Sequence, residues 1–147
     1  MNPPPLARWL GLAGLLPQLA ALTVLLSGDT AHHFQALTLG YAYAALILSF
    51  LGGLWWGLAA RAEAPPAWLW IAAVVPSLVA LASAIPWSEG RPWPGPSLIV
   101  LGVSLIAALV VDWRLARAGL APPWWMSLRV PLSLGLGLAT LAIAAFG

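Results

Sequence analysis

The sequence predicts an all-α integral membrane protein, an up-and-down bundle of five transmembrane helices with its N-terminus inside and its C-terminus outside. Three observations predict it. Apolar residues make up 62% of the chain and charged residues 7%, with a mean hydropathy of +0.94. A water-soluble domain needs more polar surface than that to build an exterior. Five apolar stretches are near the length of about 20 residues that crosses a hydrocarbon core, and short links between them hold most of the Gly, Pro and charged residues. Arginine also gathers on one side of those stretches.

The 147 residues are read as one transmembrane domain with helices at about 9–27, 35–60, 68–85, 97–112 and 124–146. Helix one is expected to be retained rather than cleaved as a signal peptide. Its N-terminal segment carries a single cation, Arg8, and Pro17 and Gln18 interrupt its apolar run. Helix two carries a packing code: Ala45, Ser49, Gly53 and Gly57 recur every four residues, Tyr41 and Arg61 extend the stripe, and Gly52 widens it. Small residues at that spacing let two backbones approach closely in lipid. Helix two is therefore predicted to be the most crowded helix, joined through this stripe to the rest of the bundle or to a second copy in a homo-oligomer. Helix three holds Pro76.

Helix four is predicted to end at Asp112, after an apolar run from Ser97 of about 22 Å, which is shorter than the hydrocarbon core. That places the Asp112 carboxylate near the inner hydrocarbon edge, where an isolated charge is costly. Helix five brings Arg129 in from the same side, and the link containing Gly119, Pro122 and Pro123 is short. Asp112 and Arg129 are predicted to meet. Pro17, Pro76 and Pro131 lack amide donors and leave the carbonyls of Ala13, Ala72 and Ser127 without their usual partners. Gln18, Ser77 and Ser133 are read as local repairs, with a water-containing cavity among helices one, three and five as the alternative.

Arg8, Arg61, Arg114, Arg117 and Arg129 lie toward one end of the helices, and Arg91 toward the other. By the positive-inside rule the arginine-rich end faces the cytoplasm, here of a bacterial inner membrane. Tryptophan follows the same partition. Trp9, Trp55, Trp56, Trp68, Trp70, Trp113, Trp124 and Trp125 lie toward the arginine-rich end, against Trp87 and Trp93 at the other. An interfacial belt accounts for many such rings, but a belt has two sides. Trp55 and Trp56 also sit more than a turn inside helix two and point about 100° apart, so one of them is expected to face inward.

Several chemistries are excluded or unsupported. Cysteine and lysine are absent, which removes thiolate metal sites, disulfides and Schiff-base catalysis. Six arginines against four acids form no basic run, so no nucleic-acid partner is expected. Asp29, His32, His33 and Glu89 make a partial ligand set, but adjacent histidines seldom aim at one ion. The segment is read as a capped helix start, and no metal site is expected. Ser49 lacks a histidine base, and phosphate loops, paired catalytic carboxylates and zinc-protease helices are missing, so no enzymatic activity is expected.

The strings YAYAALILSFLGGLWWG (41–57), DWRLARAGLAPPWWMSLRVPLS (112–133) and LGLAGLLPQLAALTVLL (10–26) resemble the domain-of-unknown-function family typified by transmembrane protein 69. The resemblance covers nearly the whole chain. It implies a small helical membrane protein of bacteria or mitochondria, and it highlights Ser49, Gly52, Gly53, Trp56 and Gly57 together with Trp124, Arg129 and Pro131. Trp55 departs from the pattern, which argues against an imidazole-dependent role at that position. In plan alone the chain is also similar to the tryptophan-rich sensory proteins, which bind porphyrin- and sterol-like ligands.

The reading that follows is a non-enzymatic binding or carrier protein, with its site at the arginine-rich end built from Trp55, Trp56, Asp112, Trp124, Trp125 and Arg129. Aromatic faces beside one cation suit an amphipathic ligand with an apolar body and an anionic group, such as a lipid or a quinone-like or porphyrin-like molecule; no specific cofactor is indicated. An oligomeric ion or proton channel, or an accessory subunit of a membrane complex, are the other readings.

Overall fold

The computed structural model describes residues 1–147. Seven helices build five spans: α1 (Pro5–Ala13) and α2 (Leu16–Leu26), α3 (His33–Arg61), α4 (Ala67–Ala82) with the single turn α5 (Ile85–Ser88), α6 (Gly95–Arg117) and α7 (Trp125–Phe146). All five spans are long and apolar enough to cross a membrane, and there are no strands. The protein is a multi-pass helical membrane protein.

The span boundaries correct the sequence reading at two places. The first span is broken rather than continuous, because Pro17 has no amide hydrogen and its ring crowds the carbonyl four residues back. The chain leaves the helix at Gly14–Leu15, and Pro17 then falls in the first turn of α2, where no donor is needed. Tyr43 on α3 stabilises the break by donating from its hydroxyl to the Gly14 carbonyl oxygen at 2.6 Å. The fourth span does not stop at Asp112. It continues to Arg117, for 23 residues or about 34 Å. The charged residues do not end it because the buried face runs on unbroken from Ala108 through Asp112 to Leu115 while Trp113, Arg114 and Arg117 turn outward.

α3 is the central helix. It packs against the other four spans, while the α6–α7 and α3–α4 pairs form the most extensive seams. Its core face is Ala44, Leu48, Leu51, Gly52, Trp55 and Ala59, one helical position away from the predicted stripe. Ala45 and Ser49 are half-buried, and Gly53 and Gly57 are exposed, with nothing within 4 Å of where a Cβ would stand. Gly52 is the residue of close approach: a Cβ there would collide with the carbonyl oxygen of Ala73 on α4. On the α6–α7 seam the backbones cross at Gly102 and Gly137, where a Cβ on either glycine would lie 3.0 Å from the other's carbonyl oxygen.

The proline-repair expectation also changes. Gln18 does not serve Ala13. It is fully buried, and its Nε2 donates to the Gly40 carbonyl at 3.1 Å and to Thr140 Oγ1 at 2.8 Å, tying α2 to α3 and α7. Ser77 is exposed, and Ser133 accepts a hydrogen bond from Arg129. Nor do the three proline-bearing spans enclose a cavity together. The first span packs on the second and fifth, and the third packs on the second and fourth.

Candidate functional site

Of the six residues predicted for a ligand site, three converge on the buried carboxylate of a fourth, Asp112. Asp112 is 0% exposed, Arg129 5% and Trp55 3%. Trp55 Nε1 from α3 and Trp125 Nε1 from the start of α7 each donate to Asp112 Oδ1 at 3.0 Å. Arg129 Nε donates to Asp112 Oδ2 at 2.9 Å, and its Nη2 donates to Ser133 Oγ at 2.7 Å. The predicted Asp112–Arg129 contact is present, and it joins three helices rather than two. Helical spacing makes this possible. Trp125, Arg129, Ser133, Leu136 and Thr140 recur every three or four residues on the buried face of α7, and Asp112 lies about 8 Å inside the end of α6.

The electrostatics describe a paired network. A carboxylate in a low-dielectric interior is costly unless it is paired and its lone pairs are filled. Here two indole N–H groups fill Oδ1, and one guanidinium N–H pairs with Oδ2. Arg129 spends its Nε on Asp112 and its Nη2 on Ser133. The network does the work of a three-helix clamp.

The other two predicted residues lie apart from the carboxylate. Trp56 is 50% exposed on the outer face of α3, where its ring meets Trp70 edge-on at 4.7 Å between centroids. Trp124 is half-buried, its ring 6.2 Å from that of Trp125. The expectation that one of the Trp55–Trp56 pair faces inward is met by Trp55.

The model of the family described as "Protein of unknown function (DUF3429)" matches residues 3–145. The chain belongs to the DUF3429 family. The DUF3429 chain is also similar to Transmembrane protein 69 of Xenopus tropicalis, with 30% identity over 130 residues, covering 86% of this chain and 49% of that protein. It thus spans about half the length of the curated relative it matches. No solved structure matches it.

Two cavities lie beside the clamp in this DUF3429 chain. One is an apolar cleft of about 300 Å³ between α4 and α6, with α3 as its floor, bounded by Trp55, Ala72, Val75, Pro76, Ala107 and Val111. It exists because α4 leans on α3 and touches α6 only sparingly. The indole ring of Trp55 thus lines the cleft while its N–H is turned onto Asp112. The other cavity, of about 410 Å³, opens at the arginine-rich end between the last turn of α3 and the α6–α7 link. Its wall is set by Gly119, whose φ of +69° ends α6 while Leu120 N–H bonds back to the Leu115 carbonyl at 3.0 Å.

Sequence reasoning missed the Gln18–Gly40–Thr140 tie, although a lone Gln and a lone Thr in apolar runs are a usable signal, since buried polar groups in lipid seek one another. It also missed the tie of Tyr41 and Ser83. Ser83 Oγ donates to the Ala80 carbonyl, so Tyr41 supplies the proton of their 2.8 Å bond. At the opposite end Asp29 and His32 pair with each other at 2.7 Å and Glu89 pairs with Arg91 at 2.9 Å. No third ligand-type side chain joins either pair. Asp29 is not the cap of α3 but holds the preceding turn, accepting from the backbone of Ala31 at 2.9 Å. The His32 ring beside it holds the Asp29 carboxyl below its ordinary value.

Proposed function

We propose that this protein is a non-enzymatic membrane protein that binds the apolar chain of a lipid or other lipophilic molecule in the α4–α6 cleft. The observation that carries this reading is the cleft itself, an apolar recess of about 300 Å³ floored by the Trp55 ring, within the range of small-molecule pockets. The Asp112–Arg129 network supports it from behind by fixing that ring. The ligand therefore meets Trp55, which lines the cleft, rather than Arg129, which does not. The arginine-rich end is assigned to the cytoplasmic face of a bacterial inner membrane, on the strength of the positive-inside rule.

Filling the cleft tests the reading. Ala107 borders it from the exposed side of α6, so Ala107→Trp blocks the recess without entering the core. Native mass spectrometry of detergent-purified protein is expected to show a defined lipid adduct on the wild type and at least a tenfold smaller adduct fraction on Ala107→Trp. Equal adducts on both would sink the proposal.

Assembly through α3 is the second reading, favoured by the outward position of Gly53 and Gly57. Gly53→Leu is then expected to convert an oligomer to a monomer in the same spectra, whereas a wild-type monomer contradicts it.

A further inference from the structure

The two cavities beside the clamp follow one seam. On α3, Leu48 and Trp55 border the apolar cleft, and Leu58 and Arg61 border the cavity at the arginine-rich end. On α6, Val111 borders the first, and Gly119, just past the helix end, borders the second. Wholly buried Leu115 stands between them. Along α3, Trp55 and Arg61 are six residues or about 9 Å apart, the depth that divides a lipid headgroup from the upper part of its chains.

Arg61 is the one charged residue lining the upper cavity, and its guanidinium makes no ion pair. The three ion pairs of the molecule are His32–Asp29, Arg91–Glu89 and Arg129–Asp112. Glu63, two residues on, is exposed and likewise unpaired. Arg117 is engaged otherwise, with its guanidinium 4.8 Å above the Trp113 ring. Pro122 and Pro123 in the cavity wall lead straight into the N-terminal turn of α7, whose dipole adds positive potential on that side. A guanidinium that is free at headgroup level, above an apolar recess, complements a phosphate carried on hydrocarbon chains.

We infer that the two cavities are one bipartite site for an anionic phospholipid, with the phosphate on Arg61 and a chain in the α4–α6 cleft. This rests on the cleft reading above and names its ligand class. It moves the anion-binding role from Arg129 to Arg61.

The test uses full-length protein stripped of lipid in neutral detergent and three probes with identical acyl chains: phosphatidylglycerol, phosphatidylcholine and diacylglycerol. Binding is read by native mass spectrometry on the wild type, Arg61→Gln, Arg61→Lys and Ala107→Trp. Arg61 is exposed, so its substitution leaves the packing intact. Phosphatidylglycerol is expected to bind the wild type about fivefold more tightly than diacylglycerol. Arg61→Gln should remove that preference, Arg61→Lys should keep most of it, and Ala107→Trp should abolish binding of all three. Equal binding of phosphatidylglycerol and diacylglycerol, unchanged in Arg61→Gln yet lost in Ala107→Trp, overturns the headgroup assignment and leaves the cleft reading standing. A preference for phosphatidylglycerol that survives Ala107→Trp overturns the single-site inference. Failure of all three probes to bind the wild type overturns both.

Discussion

Asp112→Ala is expected to be the most damaging single substitution in this protein. It leaves the Arg129 guanidinium buried without its counter-charge and strips two indole N–H groups of their acceptor. Breaking one partner of a buried pair costs about 3–5 kcal/mol, much of it the penalty of the orphaned charge. Arg129→Met should cost a similar amount for the mirror-image reason. The combination Asp112→Leu with Arg129→Met should recover at least half of either loss, since no charge is then left unpaired. Reversible unfolding in mixed micelles measures all three. If Asp112→Ala unfolds within about 0.5 kcal/mol of the wild type, the carboxylate is not the clamp described above.

Gly52→Leu comes next. Any Cβ at this position meets the Ala73 carbonyl, so even alanine forces α3 and α4 apart, and overpacking of this kind costs about 1–3 kcal/mol or more. Those helices carry Trp55 on one side and Ala72, Val75 and Pro76 on the other, and the substitution should therefore reshape the cleft as well. Gly53→Leu, one residue along, faces open space and should leave the fold within about 0.5 kcal/mol of the wild type. Parallel unfolding curves for the two variants decide the matter. Equal losses would mean that both glycines face the bundle.

That pair of glycines also shows what a membrane sequence discloses and what it withholds. The five spans were legible because a stretch long enough to cross lipid is marked by composition alone. The faces of α3 were not. In water the buried stripe is the apolar one, but in lipid both faces are apolar, so the stripe through Gly52 and the stripe through Gly53 look alike. Polar residues break the symmetry. Asp112 and Arg129 stood out as groups that must find one another, and they do so at 2.9 Å. The partners that complete the clamp, the Trp55 and Trp125 N–H groups, were candidates on other grounds, as aromatic walls. Their role as donors depends on ring orientation, which residue type and spacing do not reveal. The end of α6 was misplaced because a charge reads as a boundary, although the helix carries its carboxylate inward. The α4–α6 cleft lies between helices that are apolar on every side, and its existence depends on how far α4 leans toward α3.

Photolabelling tests the central claim most directly. A phosphatidylglycerol carrying a diazirine in one chain, irradiated with the protein in bilayers and followed by peptide mass spectrometry, reports where that chain resides. Adducts are expected to concentrate on Val75, Val79, Ser104 and Ala107, the borders of the α4–α6 cleft, and to be displaced by Ala107→Trp. Adducts spread evenly over the outward faces of all five spans, with the cleft no more labelled than Leu6 or Leu10 on α1, would contradict it.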